Sequence, residues 1–146
     1  MRIYLDMCSL QRPLDDPSQL RVRLEAEAIF TIIRACDSRR AALVSSVALE
    51  YENRRSPRPD RQDHVYRLLA RAVETIPLSS SVERLAATFN GLGLKTLDSL
   101  HLACAVAANV EFFCTCDDRF LKRGRTIDTG NSRVVSPLEL VTELGL

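Results

Sequence analysis

One stretch limits what this chain can fold into. Leu94 to Ala108 repeats apolar and small residues at three- and four-residue intervals through Leu97, Leu100, Cys104, Ala107 and Ala108. That periodicity predicts a helix, with Thr96 placed to cap its first turn and Asp98 inside that turn, where the positive end of the helix dipole favours a carboxylate. After a short break comes Phe112 to Thr115, apolar on both sides as a strand covered by helices would be, and it ends in Asp117 and Asp118. A buried strand of this kind belongs to a parallel sheet, whose carboxyl edge is where ligands bind.

The rest of the chain repeats the pattern. Arg2-Ile3-Tyr4-Leu5 is a short apolar run closed by Asp6, and Ala41 to Ser45 is a second buried strand. Gln11 to Pro17 reads as a loop with two prolines, after which Asp16 or Ser18 can cap a helix through Leu20, Leu24, Ala28, Ile29, Ile32 and Ile33 to about Cys36. Ser46 starts a helix carrying Leu49, Glu50 and Glu52, and Asn53 to Gln62 reads as a basic loop. An amphipathic segment over His64 to Val73, a short strand near Thr75 to Leu78, and a helix from Ser79–Ser81 to Gly91 follow. Beyond Phe120, a polar loop leads to Arg133-Val134-Val135 and a last helix opened by Pro137. Strands alternating with helices predict an α/β fold: a three-layer sandwich with a central parallel sheet. At 146 residues the chain has room for one such domain, spanning 1–146.

Composition excludes several classes. No apolar run approaches the ~20 residues of a membrane span, and the acid at position 6 interrupts any signal-peptide core, so the expectation is a cytoplasmic protein. Five cysteines form an odd set that argues against a disulfide framework, and Cys114-x-Cys116 with Cys8 and His101 matches no common zinc spacing. Net charge is +1; of 20 Lys plus Arg only Lys95 and Lys122 are lysines, leaving 18 arginines, a residue suited to bidentate phosphate contacts.

The acids carry the chemistry. Asp6 and Asp117 each follow a predicted strand, while Glu50 and Asp98 each sit near the start of a helix. In a parallel sheet these positions gather at one edge. Carboxylates brought together repel one another, and a hard divalent cation is what holds them there. Oxygen donors alone point to Mg²⁺ or Mn²⁺, and a water bound to such an ion can attack phosphorus without any Ser, His or Cys nucleophile. Spacing leaves open whether Asp117 or Asp118 is the fourth ligand.

Four motifs complete the reading: Ile3-Tyr4-Leu5-Asp6; Ser45 to Glu50; Leu97-Asp98-Ser99-Leu100-His101-Leu102-Ala103; and Phe113-Cys114-Thr115-Cys116-Asp117-Asp118-Arg119-Phe120. In this order they resemble the acidic motifs of PIN-domain nucleases, most closely the VapC-like toxins of toxin–antitoxin pairs. The resemblance implies Asp6, Glu50, Asp98 and Asp117 as catalytic metal ligands, with Thr115 as a supporting hydroxyl. His101 reads as a packing or hydrogen-bonding residue of the central helix, and its nearness to Asp98 leaves a role in supporting that ligand open. The resemblance also implies Mg²⁺- or Mn²⁺-dependent endoribonuclease activity, an RNA substrate, a cognate antitoxin and a homodimer. Arg54, Arg55, Arg58 and Arg61 are then expected to meet the RNA backbone. The family usually has Thr or Ser directly after the first Asp, whereas Met7 and Cys8 stand here. That departure gives the alternative expectation, a catalytically silent PIN-like module that binds RNA or protein.

Overall fold

The computed structural model describes residues 1–146. Five strands, β1 (Arg2–Leu5), β2 (Ala42–Ser46), β3 (Glu74–Ile76), β4 (Phe112–Cys114) and β5 (Arg133–Val135), form one sheet in the order β3-β2-β1-β4-β5. Every neighbouring pair is parallel, with Ile3 opposite Leu43, and Tyr4 and Leu5 opposite Phe113 and Cys114. Chains of apolar residues at both faces explain why these strands sit inside. Ile3, Tyr4, Leu5, Leu43, Phe113 and Cys114 are all fully buried.

The helices are α1 (Met7–Gln11), α2 (Leu20–Asp37), α3 (Val47–Arg54), α4 (Pro59–Leu69), α5 (Ser80–Gly91), α6 (Thr96–Ala107), α7 (Asp118–Gly124) and α8 (Pro137–Glu143). Together with the all-parallel sheet they give the predicted α/β architecture. Packing joins α2 to α8, α5 to α6, and α3 to both α4 and α6. No helix is long and apolar enough to cross a membrane.

Topology decides where a ligand can enter. The chain runs outward from β1 through β2 to β3, then returns to place β4 on the other side of β1. The direction of winding therefore reverses between β1 and β4. Connections leave these two strands in opposite directions, and a crevice opens at their carboxyl ends. Asp6 follows β1 directly, and Asp117 lies three residues beyond the end of β4.

Four local expectations are corrected. The segment read as a loop at 11–17 is preceded by α1 and contains a 3-10 turn, Arg12–Leu14. Asp6 makes α1 possible by accepting from the Ser9 N–H at 3.0 Å, a cap that an apolar-period search does not detect in a five-residue helix. Neither Asp16 nor Ser18 caps α2, whose cap position is Gln19 with no side-chain bond. The basic stretch at 53–62 is divided between two helices, because Pro59 occupies the first turn of α4, where its missing N–H costs nothing. Thr96 belongs to α6 itself, and Lys95 takes the cap position without a side-chain bond.

Candidate metal centre

Asp6 is 5% exposed at the end of the central strand. Its backbone N–H continues the ladder by donating to the Cys114 carbonyl at 3.1 Å. Burial pushes its carboxyl pKa up, while hydrogen bonds from Thr115, Cys8 and Ser9 resist that shift. The Cys8 thiol donates to Asp6 Oδ1 at 3.0 Å and lies 3.2 Å from Oδ2. A thiol two positions along the chain therefore stands against the carboxylate.

Thr115 connects the first and last acids. Its fully buried side chain accepts from the Asp117 N–H at 3.1 Å and also bears on Asp6. Asp117 caps α7, with Oδ1 accepting from the N–H groups of Arg119 at 2.9 Å and Phe120 at 3.1 Å. Its other oxygen has no such bond. The side chain is thus fixed by the helix it starts, with one oxygen left over.

Asp98 is half-buried in the first turn of α6. Its pKa is raised to about 6, first by burial and then by the charges of Asp6 and Asp117, against the opposing influence of His101 and Lys95. Three carboxylates from three distant parts of the chain therefore act on one another at the crevice. Asp98 and Asp117 also line the same cleft, of about 520 Å³.

The other expected residues lie elsewhere or serve other contacts. Glu50 is exposed and lines a separate recess with Asn53, Arg54 and Tyr66, between α3 and α4. Asp118 turns away from its neighbour: Arg21 grips both its oxygens, at 2.6 and 2.7 Å, and holds its pKa down. Arg54, Arg55, Arg58 and Arg61 do not line the Asp98–Asp117 cleft. Arg55 lies over the Tyr51 ring, Arg58 pairs with Asp60, and Arg61 is bound to Asp15 and Gln11.

A residue overlooked in the sequence is Glu52. His101, 2% exposed, meets Glu52 Oε2 through Nε2 at 3.1 Å and Tyr4 Oη through Nδ1 at 2.8 Å. Tyr4 Oη is in turn 2.6 Å from Ser46 Oγ, which accepts from the Leu49 N–H. Every polar group is satisfied if Ser46 donates to Tyr4, Tyr4 to Nδ1, and Nε2–H to Glu52. This chain anchors Glu52 to α6, one turn from Asp98. Its only sequence trace is a Glu two positions after Glu50, together with a His three after Asp98.

As placed, no three His, Cys, Asp or Glu side chains stand close enough to hold an ion between them. The donor chemistry nevertheless fits a hard divalent cation. Asp6, Asp98 and Asp117 offer oxygen only, and no arginine or lysine forms an ion pair with any of them.

Comparison with known proteins places this arrangement in a family of fold and sequence. A PIN domain model matches residues 12–125, and the chain belongs to the PIN domain family. The match starts after Asp6. Among solved structures, the chain is similar in fold to one described as VapBC2 from Rickettsia felis bound to a DNA fragment from their promoter. That likeness has a TM-score of 0.61 at 14% identity and covers 93% of this chain and 98% of the other. Among curated protein sequences there is no significant match.

Proposed function

We propose that this protein is a Mg²⁺- or Mn²⁺-dependent endoribonuclease, acting as the toxin of a toxin–antitoxin pair. The observation that carries the reading is geometric: Asp98 and Asp117 line one cleft at the crevice between β1 and β4, where burial first, and then the charges of Asp6 and Asp117, raise the Asp98 pKa to about 6. These three carboxylates would hold the cation. Glu52, anchored through His101, suits the fourth place better than Glu50, which faces α4. The bound ion would supply an activated water and support the leaving oxygen. The chain's own contribution is positional. Ser9 N–H and Cys8 orient Asp6, α7 orients Asp117, and Thr115 couples the two.

Membership of the PIN family supports the nuclease class, and the fold's likeness to a toxin–antitoxin complex supports a protein antitoxin as partner. An RNA substrate, a homodimer and a cytoplasmic location complete the proposal. Purified protein incubated with RNA should cleave it with Mg²⁺ or Mn²⁺ and stop when EDTA is added. Wild-type protein that leaves every RNA intact with both ions overturns the reading.

One contact favours a second reading, a catalytically silent module that binds RNA or protein. The Cys8 thiol engages the Asp6 carboxylate from which a cation would take oxygen. Cys8→Ser distinguishes the two. An active enzyme keeps metal-dependent cleavage with serine in that place, whereas a silent module shows none in either form.

A further inference from the structure

The cleft that holds Asp98 and Asp117 has a second polar lining, made of Lys95, Arg119, Lys122 and Arg123. All four are exposed, and none is paired with a carboxylate. Charge left unpaired this way is available to an incoming anion. The two lysines of the whole chain are both here, in a protein whose other 18 cations are arginines, out of 20 in all. An ammonium is a compact charge with rotatable donors that can meet phosphate oxygens from many angles, while the arginine fork meets two oxygens at once.

Backbone geometry supports the wall at its far end. Gly93 adopts φ +106°, and a Cβ there would lie 3.3 Å from Arg123 Nε. The turn between α5 and α6 thus lets the Arg123 side chain lie against bare backbone. Cations from the cap of α6 and from α7 surround one opening. Four unpaired positive charges exceed what a single phosphate needs and match a run of phosphates.

We propose that this wall binds the phosphates of a single-stranded RNA on either side of the one that reaches Asp98 and Asp117. The inference rests on the nuclease reading above and names where that substrate's backbone lies. A positively charged groove that tracks one backbone is the usual seat of a single strand. The arginines at 54–61 are then not the substrate track.

The test is anisotropy of a fluorescein-labelled single-stranded RNA of ~12 nucleotides with the full chain in EDTA, where nothing is cut, at salt from about 50 to 200 mM. Lys122→Ala and Arg123→Ala should each weaken binding several-fold and flatten the plot of log K against log salt by about 0.7. Arg54→Ala and Arg55→Ala should leave both quantities at the wild-type value. Wild-type protein that fails to bind overturns the inference. So do Lys122 and Arg123 variants that bind like wild type, or a 54/55 pair that loses as much. If those variants bind normally while wild type still cuts RNA with Mn²⁺, the wall is refuted and the nuclease stands. If binding falls as expected but no ion brings cleavage, the wall stands and the nuclease reading fails.

Discussion

Two basic regions of this molecule have the same number of cations and opposite fates. Arg54, Arg55, Arg58 and Arg61 are close in sequence, yet Arg58 and Arg61 are matched with Asp60 and Asp15, and Arg55 lies over Tyr51. Lys95, Arg119, Lys122 and Arg123 are split across two elements, yet they converge on one cleft without a carboxylate partner. Density along the chain is a poor guide to function, because acids brought near by the fold take up the charge, whether adjacent in sequence like Asp60 or distant like Asp15. What counts is whether a cation keeps its charge free and faces the chemistry.

The largest expected effect comes from the acid that the second region surrounds. Asp98→Asn should lower RNA cleavage on the order of 100-fold or more, since even residues that only support metal ligands are worth 10–100-fold. Wild type should gain about 2.7 kcal/mol of stability from Mn²⁺ at a hundredfold excess over Kd, and the variant should gain little of it. Thermal melts with and without Mn²⁺ measure this. An equal response in both proteins would place the ion elsewhere.

Next in size is a pH effect on the metal-free protein. The pKa of Asp98 is raised from 3.8 to about 6, so the fold favours its neutral form. The stability this provides is complete below pH 3.8 and is lost as pH rises through about 6. Asn, which is always neutral, should therefore melt higher than wild type at pH 7.5 and equal to it near pH 4. The gap has a ceiling of about 3 kcal/mol and is smaller in practice, because solvent screens a half-exposed carboxylate. A variant less stable than wild type at both pH values would show that Asp98 acts mainly as a helix-start residue.

Arg61→Ala tests the first region on its own terms. Arg61 is 16% exposed, and its guanidinium binds Asp15 Oδ1 at 2.9 Å, Gln11 Oε1 at 3.3 Å and the Leu14 carbonyl at 3.2 Å. Through Asp15 it reaches Arg12, and Arg12 reaches Glu25, which is 3% exposed. Losing Arg61 should cost about 2 kcal/mol, read as a fall in Tm of roughly 4–8 °C, with RNA affinity unchanged. Reduced affinity at full stability would reverse the comparison.

The same contrast marks what the sequence can disclose. The placement of Asp6, Asp98 and Asp117 was legible because each is tied to a strand end or a helix start, and element order alone carries those to one edge of a parallel sheet. Between Glu50 and Glu52, element order gives no help. Both lie in α3, two residues and so about 200° apart around it, and only the packing of α3 against α6 shows which one meets His101. The ion pair made by Asp118 was hidden for a similar reason. Its partner Arg21 is 97 residues away in the chain and meets it only in the folded structure. The polar chain from Ser46 through Tyr4 to His101 spans three elements, and no spacing rule links them.

The smallest expected effect is the sharpest discriminator. Arg54 lies on the last turn of α3, exposed, and lines the recess with Glu50 and Tyr66 without pairing with any carboxylate. It is the member of the first region most like those of the second, since its charge is free. If a free charge alone made a phosphate contact, Arg54→Ala would weaken RNA binding as Lys122→Ala does. If position at the cleft is also needed, Arg54→Ala should change stability by no more than about 0.5 kcal/mol and leave the salt dependence as it was. Measuring both substitutions beside Arg123→Ala in one titration separates availability from location, because Arg54 and Arg123 are both arginines without a carboxylate partner and differ in where they lie.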